Sequence, residues 1–409
     1  MADLIIRIGG GDAALLTRLV TPGPAGIAPS RPDRIVVDAH VAAAYPGIAI
    51  TARQAGLPML IDPQTYYLQD HQHLTDPWAQ LPFGDASVVT VADLLSPARA
   101  DRLVAEALEF QLLHGATALM APYVHIERAG DGWAEVQAVL HGATRRYVDA
   151  QHLRLPLIAP IALSWRLTGR TMWPMALDRL VVGLQSLGPD EVALVASKID
   201  QGVQPDQRLA ALYAAIGRLR QSWPVLAWQQ GLLGEACVAA GACGYETGIG
   251  WNERCDLRSK MAGRRTPPRP DAGFGARPVY ISALGRSIPK TTVATLLSEP
   301  SIRSRLVCLD PQCCPGGRGA LTGDARAHAV ISRAARLAAL TVAHHPRWRW
   351  QFLATHAGDG LVLAGRINTL ADHPAARSAG LTKVNTGALR AIELTADVRR
   401  RTATRRRAA

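Results

Sequence analysis

Eight short apolar runs recur along the chain, and segments with apolar residues at helical spacing separate them. Short runs that end in Pro, Gly, Ser or a charged residue are typical of parallel strands covered on both faces. The segment 97–114 shows the helical pattern, with Leu103, Val104, Ala107 and Leu108 at helical spacing. The predicted strands are residues 59–61, 118–120, 157–159, 192–195, 225–227, 243–245, 279–281 and 306–308.

Strands and helices that alternate in this way indicate βαβ crossovers. Eight such units predict an α/β fold, a (β/α)8 TIM-type barrel with a C-terminal helical extension and basic tail. An open, doubly wound sheet produces the same pattern and is the alternative. The 409 residues, 48% of them hydrophobic, are ample for a large core. We predict an N-terminal lead-in at 1–50, the barrel at 51–323, and a helical region with an Arg-rich tail at 324–409.

Polar side chains just after each run are candidate site residues, because TIM-barrel active sites lie at the carboxyl ends of the strands. Asp62 and Asp310 are the candidate catalytic carboxylates, and each can act as a base or as a nucleophile. Gly248 and Gly250 would let a flat ligand approach the backbone. The other candidates for substrate binding are Gln64, Tyr66, Tyr123, Gln229 and Glu246.

Three cysteines lie close together at the end of the last predicted strand. They are Cys308, Cys313 and Cys314, and His328 follows in the next helical segment. Zinc prefers thiolate and imidazole ligands, so these residues predict a zinc site. A site with three protein ligands, or free thiols packed as small apolar side chains, is compatible with the same residues.

The formal net charge of +12 is concentrated in two stretches. Arg258, Lys260, Arg264 and Arg265 lie in the first, and six arginines follow from Arg399 onward in the second. Basic stretches on a near-neutral body predict contact with a polyanion. We therefore expect these four residues to bind a nucleic-acid backbone, whereas a solubilising tail is the alternative for the C-terminal arginines.

The sequence contains no run of about 18 apolar residues that would span a membrane. Its N-terminus also lacks a basic stretch followed by an apolar one. We expect a cytoplasmic protein with no membrane contact, with its cysteines reduced or bound to metal. The oligomeric state is left open.

Four stretches resemble the tRNA-guanine transglycosylase superfamily, which includes DNA-modifying relatives. Residues 60–66 are similar to its strand-end aspartate motif, without the usual Ser-Gly-Gly, and residues 107–120 are similar to a helix and turn of that family. Residues 244–253 resemble its glycine-rich base pocket, and the cysteine group with His328 resembles its zinc site.

The resemblance implies that guanine in tRNA or DNA is exchanged for a 7-deazapurine base. A carboxylate would attack the anomeric carbon, as in glycoside hydrolysis. Asp62 would handle protons, and Asp310 is the candidate nucleophile because of its predicted strand-end position. Tyr66 and Tyr123 would flank the extruded base, and zinc would be structural.

Two other classes of function fit the same sequence. A small-molecule barrel enzyme would use Lys198 as a Schiff-base lysine or the cysteine group as the centre of a zinc hydrolase. An ion pair with Asp200 is the competing role for Lys198. A barrel that binds nucleic acid without catalysis is the third possibility.

Overall fold

Parallel strands around a buried core form the centre of the molecule. The computed structural model describes residues 2–21, 30–167, 172–201, 205–267, 276–378 and 380–408, without the side chains of 172–174, 320 and 402–408. Within these residues the strands of the central sheet are β1 (Asp3–Ile8), β2 (Arg34–Asp38), β3 (Met59–Asp62), β4 (Leu119–Met120), β5 (His125–Ile126), β6 (Leu157–Ser164), β7 (Glu191–Ser197), β8 (Val225–Trp228) and β9 (Gly244–Gly248).

The strand order closes this sheet into a barrel. Neighbouring strands follow the order β3-β2-β1-β9-β8-β7-β6-β4, and β5 also pairs with β6. Thr117, just before β4, donates its backbone N–H to the carbonyl of Met59 on β3 at 2.8 Å, which joins the two ends. The described residues thus form a nearly closed barrel with eight strand positions, and the predicted (β/α)8 TIM-type fold is confirmed.

Helices surround the barrel and extend beyond its last strand. Several begin with ordinary start signals, such as Pro97 in the first turn of α5, where its missing N–H costs nothing. The helices are α1 (Ala13–Val20), α2 (Ala39–Ala44), α3 (Gly47–Gln54), α4 (Val91–Leu95), α5 (Pro97–Leu113), α6 (Trp133–Ala150), α7 (Met172–Leu187), α8 (Pro205–Leu219), α9 (Gly234–Ala240), α10 (Leu257–Gly263), α11 (Lys290–Leu296), α12 (Pro300–Leu306), α13 (Arg318–Gly323), α14 (Ala325–Val342), α15 (Pro346–Ala371), α16 (Pro374–Ser378) and α17 (Gly387–Ala408).

Two of the eight predicted strands lie outside the barrel. Residues 279–281 form β10 (Val279–Ile281), which pairs antiparallel with β11 (Arg286–Ile288) in a separate small sheet. Residues 300–306 form α12, and Cys308 follows in the turn after that helix. The barrel takes its first two strands from β1 and β2 instead, within the segment that we predicted as a lead-in.

The C-terminal region packs on the barrel as helices. Buried side chains of β10, β11, α11 and α12 form a second apolar cluster with one face of α15. The predicted Arg-rich tail begins inside α17, where Arg400 and Arg401 pair with Asp397. The side chains of Arg405, Arg406 and Arg407 lie outside the described residues. No helix in the described part of the chain is long and apolar enough to cross a membrane.

Candidate active site and metal centre

Arg7 on β1 is the centre of a buried charge cluster at the carboxyl end of the barrel. Its Nε donates to Glu246 Oε1 at 3.0 Å and its Nη2 to Asp62 Oδ2 at 2.8 Å. Its Nη1 donates to Asp38 Oδ1. One guanidinium therefore holds carboxylates from β2, β3 and β9, and these three acids together with Arg7 form what we call the Arg7 cluster.

Asp62 has its hydrogen-bonding capacity filled within this cluster. Besides Arg7, the Tyr123 hydroxyl donates to Oδ1 at 3.0 Å, and the backbone N–H of Gln64 donates to the same atom at 3.1 Å. Trp228 Nε1 donates to Oδ2 at 3.4 Å. With four donors and no solvent exposure, the carboxylate fixes the positions of its neighbours. Its predicted catalytic role stays a prediction.

The other two acids of the cluster differ in their pKa. Burial raises the pKa of Glu246, and the charge of Arg7 offsets only part of that effect. Burial is also the largest single effect on Asp38, but the combined charges of Arg7, His40, Lys260 and Arg264 outweigh it, so the pKa of Asp38 lies below its ordinary value. The side chain of Asp38 is also 18% exposed, whereas that of Glu246 is fully buried.

Two buried glutamines beside the cluster each leave one amide atom without a partner. Gln64 Nε2 donates to Asp38 Oδ1 at 3.0 Å, and Gln229 Oε1 accepts from Lys260 Nζ at 2.6 Å. These contacts fix both amide orientations, so the unpartnered atoms are the acceptor Gln64 Oε1 and the donor Gln229 Nε2. Buried polar atoms are normally satisfied, and the two point to a missing polar ligand.

Helix α10 lies beside the Arg7 cluster, since its Lys260 reaches Gln229. Asp256 caps its first turn by accepting the backbone N–H of Ser259 at 3.0 Å, and Leu257 and Met261 are buried beneath it. Trp251, in the loop between β9 and α10, and Lys260, on α10, line a groove of about 430 Å³. That size suits a small molecule.

The four residues predicted to bind a nucleic-acid backbone are engaged within the chain. Arg258 pairs with Glu127 at 2.8 Å, and Arg265 pairs with Asp70 at 2.6 Å. Arg264 donates to Asp76 at 2.6 Å and stacks on the ring of Tyr67, while Lys260 reaches inward to Gln229. The charges of the three arginines are matched by nearby acids, and Lys260 is directed inward to a neutral amide, which gives the physical reason to correct the predicted phosphate contact.

The predicted base pocket is filled by the protein itself. A Cβ on Gly248 would lie 1.9 Å from the carbonyl oxygen of Trp251, and Gly250 adopts φ +75° beside Pro278. These glycines serve the turn after β9 and leave no room for a flat ligand. Tyr66 and Tyr123 are fully buried, with ring centroids 5.5 Å apart.

In the described part of the chain, neither Asp310 nor Lys198 contacts the Arg7 cluster. Asp310 is in the turn after α12, where its carboxylate accepts the N–H of Gln312 at 2.9 Å. The premise that it follows a barrel strand is wrong, because the preceding residues form a helix. Lys198 pairs with Asp256 at 3.3 Å, and Asp200 pairs with Arg254 at 2.6 Å.

The three clustered cysteines and His328 converge, as predicted. Their ligand atoms all lie within 4.8 Å of one another. His328 Nδ1 lies 3.2 Å from Cys313 Sγ and 3.4 Å from Cys314 Sγ, and the two sulfurs are 3.9 Å apart. Bonds of about 2.3 Å to a tetrahedral zinc place sulfurs about 3.8 Å apart, so the group has the size of a metal site.

The surroundings of His328 also fit a metal ligand. Its Nε2 donates to the carbonyl of Tyr280 at 3.0 Å, which leaves Nδ1 as the atom that faces the sulfurs. A hydrogen bond from Cys313, with a further contribution from His328, lowers the pKa of Cys314 to about 5 and favours its thiolate. The four residues can hold a metal ion with a closed set of protein ligands.

Two residues of the Arg7 cluster, and a tryptophan that contacts it, are absent from the predicted site residues. Arg7 and Asp38 lie in the predicted lead-in, and Trp228 ends a predicted strand without being selected. The sequence contains a signal for Asp38, since residues 35–38 and 60–62 are both apolar runs that end in Asp. In the structure the two aspartates are paired in register on β2 and β3. Arg7 interrupts the apolar run of β1, which is unusual for a strand buried on both faces.

Comparisons with known proteins give structural similarity only. No family model matches the sequence, and no curated protein matches it. Similar solved structures include an oxaloacetate acetylhydrolase, 13% identical with TM-score 0.34, which covers 64% of this chain and 79% of that one. A 2,3-dimethylmalate lyase of the PEP mutase/isocitrate lyase superfamily is 11% identical with TM-score 0.34, covering 64% and 80%.

A third similar structure is the carboxyl transferase domain of Rhizobium etli pyruvate carboxylase. It is 10% identical with TM-score 0.33, and the match covers 65% of this chain and 45% of that one. Values this low transfer no activity, substrate or residue role to the present chain.

The resemblance to tRNA-guanine transglycosylases is corrected on these findings. The predicted family and base-exchange function are wrong, since no family model matches the sequence and the site lacks the geometry that they require. The predicted partners, tRNA or DNA and a 7-deazapurine, are withdrawn with them. The geometry gives the reason: the second carboxylate is in another part of the fold, the base pocket is filled, and three of the four basic residues are already paired with acids.

Proposed function

We propose that this protein is an enzyme that performs acid–base chemistry on a small polar molecule at the Arg7 cluster. The observation that carries the proposal is that Arg7 holds two carboxyl groups, Asp38 and Glu246, whose pKa values are shifted in opposite directions. Such a pair supplies a base and an acid in one site. Their place at the carboxyl end of barrel strands is where TIM-barrel enzymes carry out catalysis.

The roles of the two acids follow from their surroundings. Asp38 is partly exposed and favours the ionised form, so it is the group that accepts a proton from the substrate. Glu246 is buried beneath Gln229, whose backbone N–H donates to Oε2 at 2.8 Å. Burial raises the pKa of Glu246, so we assign it the role of proton donor, and Arg7 keeps both groups in place.

The unpartnered amide atoms indicate the class of substrate. Gln229 Nε2 donates to a carboxylate or carbonyl oxygen, and Gln64 Oε1 accepts from a hydroxyl. Lys260 adds a positive charge on the groove side of Gln229. A small hydroxy acid satisfies these atoms together. Because Gln229 is fully buried, α10, which carries Lys260, would have to move for the substrate to reach Gln229 Nε2.

The cysteine group is proposed to hold a structural zinc ion. Thiolates and one imidazole suit zinc, and four protein ligands leave no position for a catalytic water. When bound, zinc would tie the turn after α12 to α14 and, through Tyr280, to β10. The role of a zinc hydrolase is therefore not favoured, and the ion pair of Lys198 with Asp256 does not favour a Schiff base.

The proposal is tested by NMR on a panel of glycolate, lactate, malate, tartrate and citrate incubated with the protein in D2O. We expect one member to bind and to show conversion or exchange of a C–H proton. Glu246→Gln and Asp38→Asn should each slow that reaction by about 100-fold or more, the usual size of a general acid or base contribution.

Glu191→Gln is the matched control, because this glutamate lies at the opposite end of the barrel beside Arg34. It should keep the wild-type rate. Unchanged turnover in both Glu246→Gln and Asp38→Asn would remove the Arg7 cluster from catalysis. Failure of every panel member to bind would remove the hydroxy-acid class.

A further inference from the structure

A small cavity lies between the loop after β8 and the C-terminal helices. Its volume is about 30 Å³, enough for one or two atoms of water or ion size. Leu353 and His356 on α15 and Leu389 on α17 form one wall. It is separate from the Arg7 cluster and from the cysteine group, since none of their residues lines it. Its charged lining residues are Glu235, Arg286, Arg333 and Arg336.

Two of the three arginines are neutralised by nearby acids. Arg336 donates from Nε to Glu235 Oε1 at 2.8 Å, and Arg333 donates from Nη2 to Glu253 at 2.6 Å. Arg286 is different. Its Nη1 donates to the backbone carbonyl of Asn385 at 2.6 Å, and among the described residues it forms no ion pair. Arg286 is therefore the arginine of this wall to which no acid is directly bonded among the described residues, and Glu253 and Asp200 act on its charge only from farther away.

His356 contributes a second unsatisfied donor. Arg336 can only donate, so its contact with His356 Nδ1 at 2.8 Å makes Nδ1 the acceptor. Burial, aided by the charge of Arg336, lowers the pKa of His356 to about 4 and keeps the ring neutral. The proton is then on Nε2, which is buried and has no partner in the described part of the chain.

The unsatisfied atoms have the same polarity. Arg286 Nε is buried without a partner, as is His356 Nε2, and both are N–H donors. A buried donor without an acceptor is costly, and an arginine charge without a directly bonded acid is costlier still. One acceptor with negative charge would satisfy both atoms and balance Arg286.

We propose that this cavity binds a small inorganic anion of the size of chloride, coordinated by Arg286 and His356 and enclosed by α15 and α17. The volume excludes phosphate esters and other metabolites. Because Arg286 belongs to β11 and His356 to α15, the anion joins the small sheet to the C-terminal helices. Its binding stabilises the packing of those helices on the barrel.

Bromide is the probe for the location of the site. Crystals of the full chain grown in sodium bromide should show an anomalous peak inside the cavity, within hydrogen-bonding distance of Arg286 Nε and His356 Nε2. A cavity that holds only water, or bromide found elsewhere and not here, overturns the proposal.

Thermal unfolding in solution tests the same site without a crystal. Sodium chloride, compared with sodium gluconate at equal ionic strength, should raise the Tm of the wild type along a saturating curve. His356→Phe keeps the ring volume and removes the donor, and Arg286→Met removes the charge. Each should weaken the apparent affinity for chloride by about tenfold or more.

Arg366→Gln is the matched control, since this exposed arginine is on the same helix as His356. It should keep the chloride dependence of the wild type. Equal chloride stabilisation in the two cavity variants and the control contradicts the proposal, and so does sulfate that stabilises the wild type as strongly as chloride. If the cavity variants fail to fold, the bromide position in the wild type decides.

Discussion

The two ends of the barrel each carry one arginine bound to acids from other strands, yet their surroundings differ. At the amino end Arg34 pairs with Asp3 at 2.7 Å and with Glu191, and these side chains are 14%, 34% and 22% exposed. At the carboxyl end Arg7 and its partners Asp62 and Glu246 are 3%, 0% and 0% exposed. Charges that water can reach are screened, whereas buried charges depend on each other.

This difference separates a structural ion pair from the proposed active site. The amino-end cluster pairs one arginine with two acids near solvent, and the carboxyl-end cluster pairs one arginine with three acids beside α10. Among the described residues, the unpartnered atoms Gln64 Oε1 and Gln229 Nε2 lie beside the buried cluster and not beside the amino-end cluster. Burial of charge, more than its presence, marks the candidate active site.

The largest effect is expected from removing the central arginine of the buried end. Arg7→Met leaves three carboxylates without their shared cation and should lower the free energy of unfolding by about 3–5 kcal/mol. The same change at Arg34 should cost about 1 kcal/mol, because water replaces the lost contacts. Urea unfolding measures both variants, and equal losses would break the comparison.

Removal of the metal should have the next largest effect. In Cys314→Ser we expect loss of about one equivalent of zinc and destabilisation of about 2–4 kcal/mol, since metal binding contributes folding free energy. Cys243→Ser is the control, because a serine hydroxyl can replace the contact of Cys243 with the carbonyl of Val225. Metal analysis and Tm of the two variants measure this effect, and a full zinc content in Cys314→Ser would refute the site.

The pH dependence of stability should distinguish Glu246 from Asp38. The raised pKa of Glu246 means that the folded state binds its proton more tightly, so its contribution to stability is present below about pH 4.5 and is lost as pH rises. Glu246→Gln should therefore gain stability relative to the wild type as pH increases above 4.5.

Asp38 should show the opposite sign. Its lowered pKa stabilises the folded state above pH 3.8, and this contribution is lost as pH falls through the folded-state pKa. Asp38→Asn should lose stability relative to the wild type above pH 3.8 and approach it in stronger acid. Urea unfolding between pH 3 and pH 8 tests both variants, and the same sign for both would contradict the assignment.

The smallest effect is expected at an exposed ion pair. Arg258→Gln breaks the contact with Glu127. The side chains of Arg258 and Glu127 are 53% and 23% exposed, so the free energy of unfolding should change by about 0.5 kcal/mol or less. A loss comparable to that of Arg7→Met would show that exposure does not set the scale of these effects.

The sequence supported the fold class because parallel strands buried on both faces leave continuous apolar runs, as at 157–164 and 191–197. It misplaced two strands because the run at 279–281 has the same local pattern, and a local pattern does not reveal which strand lies beside it. The segment 306–308 was read as a strand although it ends a helix, since short apolar runs are ambiguous between the two.

The candidate sites were predictable to different degrees. The cysteines and His328 are distinctive because few other residue types are ligands for zinc, so their convergence could be expected. Asp62, Gln64, Gln229 and Glu246 were selected from their positions after strands, but Arg7 and Asp38 were not. The contact of Arg7 with Asp38 depends on the pairing of β1 with β2, and its contact with Glu246 depends on the pairing of β1 with β9. Both pairings are long-range properties of the fold.

Trp228 gives the Arg7 cluster an intrinsic optical reporter. Its indole N–H touches Asp62, and the Arg7 guanidinium carbon lies 5.8 Å from the centre of its ring. Indole emission responds to nearby charge, so occupancy of the mouth or loss of the arginine registers as a change in fluorescence. Subtracting the spectrum of Trp228→Phe isolates this signal from the other eight tryptophans of the chain. Ligand screening of this protein can therefore proceed without a dye or a known reaction.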